Sequence, residues 1–238
     1  MTRILICDLS VLDPKIALSR ASTVSSFEEL KLSSGRRDNQ RERVGGYLAL
    51  LEFYSHIKGR DLPKVKKTES GAPFLFSEEK EPYISISHSA SLAAIMLCDE
   101  LPCGVDVQEE KDISFIKRIE SSFLLLNDLY SYEKEMEGFE LYLGELSVAG
   151  ELFCIEKCGK SLPYTAKSGI CVNDTLQSEK GEFYKKWSIT EAATKSLGKG
   201  LASVKEAAAI EDRFLCQSFG VLWKGKNYAL SACVLTNR

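Results

Sequence analysis

Residues 83–108, YISISHSASLAAIMLCDELPCGVDVQ, contain three short segments with the residue patterns of β-strands. In the first, YISISHS, apolar and polar residues alternate, which is typical of a strand with one buried face. The second, SLAAIML, is short and apolar, and the third, PCGVDVQ, begins with a Pro and a Gly that mark a turn. The pattern predicts three consecutive antiparallel strands.

Helical and strand-like patterns occur on both sides of this stretch. Residues 40–57 have apolar positions at helical spacing, and residues 111–145 are charged with a helical pattern. A third helix is predicted over 190–197, before the strand-like segments FLCQSF, VLWKG and YALSACVL. The order of helix and antiparallel strands therefore occurs twice. It predicts an α+β pseudo-dimer of two similar subdomains, each with a helix packed on antiparallel strands, over residues 1–102 and 103–238.

The composition excludes some classes of protein. The 238 residues carry a net charge of −3, which argues against a dedicated nucleic-acid binder. Basic side chains nevertheless outnumber acidic ones in residues 36–67, and such a surplus suits an anionic ligand. The N-terminal sequence lacks a signal-peptide pattern and no window approaches a membrane span, so we expect a cytoplasmic protein without a membrane partner. We also expect a monomer.

The chain has eight cysteines, none in a C-x-x-C pair. Cys154, Cys158 and Cys171 come nearest to a metal-binding set, but no histidine–cysteine cluster completes a zinc site. In a cytoplasmic protein, reduced thiols are expected.

The segment WSITEAATKSLGKGL, residues 187–201, has two interpretations. The structural one is a well-capped helix: Ser188 to Glu191 fits a capping box, Glu191 and Lys195 form a favourable i,i+4 pair, and Gly198 follows the last turn. The alternative is that the same Glu and Lys carry chemistry.

Asp106 and His88 are the most informative polar residues of the predicted strands. Asp106 lies between two valines, and a buried carboxylate is costly unless it is paired, hydrogen-bonded or bound to a metal. The simpler alternative is a carboxylate that caps a turn. His88 lies between Ser87 and Ser89, and this row of hydroxyl and imidazole groups suits a phosphate, although a lone histidine is more often structural.

Together, ISISHS, GVDVQ and WSITEAATKSLGKGL resemble, in this order, the motifs of the 4′-phosphopantetheinyl transferases of the two-domain, surfactin-synthetase-activating type. That family has a Ser-His pair, a Gly-x-Asp-x-Glu strand, and Trp-Ser-x-Lys-Glu-x-x-x-Lys leading into Gly-Lys-Gly-Leu. The resemblance spans roughly residues 36 to 201. It implies transfer of 4′-phosphopantetheine from coenzyme A to a serine of an apo acyl or peptidyl carrier protein, with release of 3′,5′-adenosine bisphosphate.

The resemblance also implies a Mg²⁺ site and a catalytic group. Asp106 and Glu191 match the family's metal carboxylates, Glu191 also matches its proposed general base, and Lys195 matches its pyrophosphate-binding lysine. Gln108 stands where the family usually has a second strand carboxylate. Its amide oxygen can still ligate Mg²⁺, which commonly uses only one or two carboxylates plus substrate phosphates.

Further residues match the family's contacts with coenzyme A. Ser87 and His88 match residues at the phosphates of the nucleotide, and Lys195 also belongs to this group. Either Arg41 or Arg43 matches a basic residue near the 3′-phosphate, and the sequence leaves the choice between them open.

The chain departs from the family in three places. Thr190 replaces a lysine, Ala72 replaces a lysine that commonly contacts phosphate, and the segment between Asp106 and Trp187 is longer, with the extra residues expected within 125–182. These departures favour the alternative of a non-catalytic coenzyme A-binding protein whose transferase site has decayed. The retained carboxylates and lysine favour the enzyme.

Overall fold

In the computed structural model, the described residues are 1–23, 37–111, 138–159, 162–174 and 179–236. The four helices of this part are α1 (Pro14–Ser22), α2 (Arg37–Lys58), α3 (Glu179–Ser196) and α4 (Val204–Ala209). The strands are β1 (Thr2–Asp8), β2 (Lys64–Lys67), β3 (Pro73–Phe76), β4 (Tyr83–Ser89), β5 (Leu92–Cys98), β6 (Cys103–Glu109), β7 (Phe139–Leu146), β8 (Leu152–Lys157), β9 (Tyr164–Thr165), β10 (Cys171–Asn173), β11 (Phe214–Trp223) and β12 (Lys226–Leu235).

The described strands form two five-stranded sheets and a separate hairpin of β2 and β3. The first sheet has the order β4-β5-β1-β7-β8, and the second has the order β6-β12-β11-β10-β9. In the first sheet β1 is antiparallel to β5 and parallel to β7. The protein is therefore a mixed α/β fold.

Side-chain alternation along β1 shows how the layers are stacked. Leu5 and Cys7 belong to one core, which they share with α2, whereas Ile4 and Ile6 belong to a second core, which they share with the second sheet. A third core lies between α3 and the far face of the second sheet. The order of layers is therefore α2, first sheet, second sheet, α3.

The predicted strands at 83–108 are all present, but their pairing differs from the prediction. β4 and β5 pair antiparallel as expected. β6, however, pairs with β12 and begins the second sheet. The reason is that a strand has only two hydrogen-bonding edges, and those of β5 are already occupied by β4 and β1.

The helix predicted over 40–57 is confirmed as α2. It lies very close to the first sheet because of two consecutive glycines. A Cβ at Gly45 would lie 2.9 Å from Leu9 Cδ1, and one at Gly46 would lie 3.2 Å from Ile86 Cγ2. Larger residues would push the helix away from the strands.

The capping box predicted at Ser188 is wrong, because α3 begins at Glu179. Ser188 lies inside the helix and is fully buried. Its hydroxyl contacts Lys185 O at 3.1 Å and Ser231 Oγ of β12 at 2.7 Å. Packing on the second sheet therefore extends the helix towards its N-terminus, beyond the point at which the local signal would start it. The predicted helix end is confirmed: Gly198 has φ +71° and its N–H bonds Lys195 O.

The helical prediction for 111–145 is wrong at its C-terminal end, where Phe139–Leu146 forms β7. Residues 112–137 of that prediction lie outside the described residues. β7 is held between β1 and β8, and this tertiary pairing decides its conformation. The boundary predicted at 102 lies where the chain passes from the first sheet to the second, and β7 and β8 then return to the first.

One pair of cysteines differs from the expectation of reduced thiols. Cys216 and Cys233 face each other across β11 and β12, with Cα atoms 4.2 Å apart, and are joined by a disulfide. Cys154, Cys158 and Cys171 are free.

Within the parts of the chain that the structure describes, no helix combines the length and apolar character needed to cross a membrane.

Candidate functional site

Asp106 is a buried carboxylate in the middle of β6. The residue is 4% exposed, and its Oδ1 accepts hydrogen bonds from Lys195 Nζ and Ser87 Oγ, both at 2.7 Å. Lys195 supplies the opposite charge without which burial of a carboxylate is costly. The Oδ2 atom is also buried, but it has no hydrogen-bond partner among the described residues. Only one of the two oxygens of this carboxylate, Oδ1, therefore has hydrogen-bond donors among the described residues.

Gly104 allows α3 to lie against β6 beside Asp106. It precedes Asp106 by two residues, on the same face of the strand. A Cβ at this position would lie 1.9 Å from the carbonyl oxygen of Ala192, which is far inside any permitted contact. The close approach brings the helical turn of Glu191 and Lys195 to the strand that carries Asp106.

Glu191 is half-buried and lies in the electrostatic field of Asp106. The pKa of Glu191 is raised above its ordinary value of 4.5, first because burial disfavours its charged form and second because Asp106 repels it, while Lys195 opposes the shift. A carboxyl group whose pKa is raised in this way holds its proton more strongly than a carboxyl group in water. Such groups occur often at functional sites.

Lys195 connects α3 to both neighbouring strands. Besides Asp106, its Nζ donates to Ser87 Oγ at 3.1 Å and to Val105 O at 3.2 Å. These three acceptors use the three hydrogens of the ammonium group. The side chain is nevertheless 26% exposed, so it can still be reached from outside.

Serine hydroxyls of β4 join the facing edges of the two sheets. Among the described strands, β6 lies at the edge of the second sheet, and none of them pairs with its outward N–H groups. Three of these groups, Val105, Val107 and Glu109 N–H, donate to the Oγ atoms of Ser85, Ser87 and Ser89 at 3.0, 3.3 and 3.0 Å, respectively. Ser87 in turn donates its one hydroxyl hydrogen to Asp106, and so holds that carboxylate in place.

His88 projects to the other face of β4, towards α2. Its Nδ1 lies 3.0 Å from Oε2 of Glu42. The sequence pattern does not single out Glu42, because it is one charged residue among several on a helix and its partner is 46 residues away. A prediction from local patterns had no signal with which to find this contact.

Arg41 and Arg43 lie on either side of Glu42 in α2. Residues two apart project about 200° from each other around a helix, so they do not present their side chains to the same ligand. The Nε of Arg41 is buried and has no hydrogen-bond partner among the residues that the structure describes. Arg41 is therefore the better candidate for an anion contact.

A cavity of about 650 Å³ opens beside Lys195. It lies between the β2–β3 hairpin, β4 and the end of α3, and its walls include Ala72, Ile84 and Leu197. The hairpin contacts the end of α3 through the Ser70 hydroxyl, which donates to Gly198 O. Charged side chains, among them Glu79, Glu81 and Lys199, line other parts of the cavity.

The residues around Asp106 fit a Mg²⁺ ion. The unpaired Asp106 Oδ2 and the carboxylate of Glu191 are hard oxygen ligands of the kind that Mg²⁺ prefers. Gln108 is half-buried and follows Asp106 on the same strand face. In the described ranges no set of three or more His, Cys, Asp or Glu side chains is arranged to hold a metal, so the substrate and water would supply the other ligands. Cys154, Cys158 and Cys171, all of them described, do not form such a set either.

The comparisons with known proteins give no relative: no family model and no curated protein matches the chain.

Proposed function

We propose that this protein transfers the 4′-phosphopantetheine group of coenzyme A to a serine of an apo acyl or peptidyl carrier protein in the cytoplasm. The observation that carries the proposal is the cluster of Asp106, Glu191 and Lys195, in which a buried carboxylate oxygen has no hydrogen-bond partner within the described part of the chain. The order of the sequence motifs supports it independently.

The reaction needs one base and positive charge around a pyrophosphate. The serine oxygen attacks the pantetheine-side phosphorus, and the bond to the oxygen of 3′,5′-adenosine bisphosphate breaks. Glu191 accepts the serine proton, since its carboxylate is the base of this cluster that the resemblance assigns to the step. Lys195 places its positive charge beside the phosphate oxygens. Mg²⁺ held by Asp106 and Glu191, with Gln108 beside them, would neutralise the pyrophosphate charge.

The remaining parts of the substrate have places around this cluster. The cavity beside Lys195 would hold a part of coenzyme A against its apolar wall of Ala72, Ile84 and Leu197. His88 and Arg41 offer donors to a phosphate on the side of α2. Ser87 supports the site by fixing Asp106 and Lys195.

The layer order is consistent with a pseudo-dimeric fold. One helix, α2, covers the first five-stranded sheet, and another, α3, covers the second. The cluster lies where β4 and β6 meet, between the two sheets. A monomer would contain the whole cluster.

The second candidate is a coenzyme A-binding protein without catalytic activity. Gln108 and Ala72 favour it, because each removes a charge that the resemblance would place at the ligand. Thr190 does not favour it further, because this residue is 1% exposed and its hydroxyl bonds Lys186 O. Position 190 therefore packs inside the protein instead of facing a ligand.

Mass spectrometry of carrier proteins tests the proposal. Apo acyl and peptidyl carrier proteins are incubated with coenzyme A, Mg²⁺ and the protein, and the expected result is the gain of one phosphopantetheine group. The Glu191→Gln variant is the matched control and should give no comparable gain. Binding of coenzyme A without any mass gain would establish the second candidate, and the absence of both would overturn the proposal.

A further inference from the structure

The contact between Glu42 and His88 is separate from the Asp106 cluster. The two side chains are 20% and 33% exposed, respectively, so the contact is half-buried and part of the imidazole ring reaches the surface. Gly46, one turn after Glu42, lies against Ile86 and the edge of the His88 ring. The tight packing of α2 on β4 therefore holds the two residues together.

This contact fixes which ring nitrogen carries hydrogen. A carboxylate only accepts hydrogen bonds, so the Nδ1 of His88, 3.0 Å from Glu42 Oε2, must donate. The second nitrogen, Nε2, is then the one left for another partner. In the imidazolium form of the ring Nε2 carries a hydrogen as well, so that it donates to an anion while Nδ1 still donates to Glu42.

We propose that Glu42 is a positioning residue that holds the Nδ1–H of His88 and so presents Nε2 to an anionic ligand of the phosphate class. Arg41, adjacent to Glu42 in α2, has a buried Nε without a hydrogen-bond partner among the described residues. The identification of the anion as a phosphate of coenzyme A rests on the proposed function. The positioning of His88 rests only on the contact with Glu42.

Nuclear magnetic resonance of the imidazole nitrogens tests the positioning without any ligand. The chain has only two histidines, His56 and His88, so His56→Gln assigns the signals. At pH about 8.5, well above the ordinary histidine pKa, we expect the Nδ1–H tautomer for His88. Glu42→Gln, which keeps an acceptor oxygen, should retain this tautomer, and Glu42→Ala should lose it. An Nε2–H tautomer in the unchanged protein, or the same tautomer in Glu42→Ala, would overturn the proposal.

Calorimetry with coenzyme A tests the consequence for binding. Glu42→Ala should weaken binding about tenfold, as expected for the loss of a hydrogen bond to a charged group, and Glu42→Gln should weaken it less. Glu52→Gln is the matched control: it alters another carboxylate of α2, one paired with Arg20, and should leave binding unchanged.

The experiments distinguish a failure of the positioning role of Glu42 from a failure of the proposed function. If Glu42→Ala binds coenzyme A as tightly as the unchanged protein, the positioning role is overturned. If the unchanged protein binds no coenzyme A, the proposed function fails, and the tautomer measurement alone decides the role of Glu42.

Discussion

Two groups of buried serine hydroxyls form hydrogen bonds between neighbouring elements of the fold, and the two groups differ in the residues that surround them. Between α3 and the second sheet, Ser231 Oγ lies 2.7 Å from Ser188 Oγ and 2.9 Å from Ser218 Oγ. This triad contains hydroxyl groups alone, and all three residues are at most 4% exposed. Between β4 and β6, by contrast, Ser87 contacts the charged pair of Asp106 and Lys195.

The difference separates a structural polar cluster from a candidate site. In the triad the hydroxyls bond one another, so the cluster is satisfied and can contribute stability. In the β4–β6 cluster, Asp106 keeps a buried oxygen for which the described residues offer no hydrogen-bond partner, and the pKa of Glu191 is raised. A folded protein tolerates such unsatisfied groups where a ligand completes them.

The largest expected effect on the transfer rate is that of replacing Asp106. Asp106→Ala should lower the transfer rate by about 10³-fold or more, because it removes a metal ligand and releases Lys195. The fold should persist, since Lys195 keeps Ser87 and Val105 as acceptors. Single-turnover assays and circular dichroism of the same variant measure the two effects. Turnover near that of the unchanged protein would exclude a role for Asp106 at the metal.

Glu191→Gln should lower turnover by about 10²-fold, because the amide cannot accept the serine proton. It should also raise the melting temperature at neutral pH. The folded state binds the Glu191 proton more tightly than the unfolded state, so ionisation of this group destabilises the fold as pH rises from its ordinary pKa of 4.5 through the raised value.

The stabilisation by Glu191→Gln should therefore vanish below the ordinary carboxyl pKa and be complete above the raised one. Melting curves across pH, recorded with a chelator present, measure it. A gain in melting temperature that is equal at all pH values would show that burial of the charge is not its cause.

Ser87→Ala and Ser85→Ala form a matched pair within the β4–β6 cluster. Each removes one acceptor for a β6 N–H group, so each should cost about 1 to 3 kcal/mol of unfolding free energy. Only Ser87 also contacts Asp106 and Lys195. Turnover should therefore fall about tenfold more in Ser87→Ala than in Ser85→Ala. Equal turnover in the two variants would reduce Ser87 to a structural contact.

The smallest effect on activity is expected in the hydroxyl triad. Ser231→Ala should cost about 1 to 3 kcal/mol of unfolding free energy, because it leaves Ser188 and Ser218 without their shared partner. Its turnover, measured well below the melting temperature, should match that of the unchanged protein. A loss of turnover without a loss of stability would mean that the two clusters are coupled through α3.

Local sequence patterns singled out residues that meet in the structure, but they did not give the strand pairing around them. The motifs selected Asp106, Glu191, Lys195 and Ser87, and the structure brings them together although Ser87 and Lys195 are 108 residues apart. Glu42 was missed, because its role depends on a contact between two elements and not on its neighbours in sequence.

By itself the sequence determined those features that depend on neighbouring residues. Alternation along β4 marked a strand with one buried face, helical spacing marked α2, and Gly198 marked the left-handed end of α3. Each of these follows from backbone sterics and from the burial of one face.

Only the tertiary structure decided how these elements combine. β6 joins β12 because β5 has no free edge, and α3 starts before Ser188 because its buried face continues on the second sheet. The ion pair of Lys195 with Asp106 likewise depends on the close approach that Gly104 permits. These outcomes require that separate segments satisfy each other's hydrogen bonds, charges and volume at once, which no local pattern encodes.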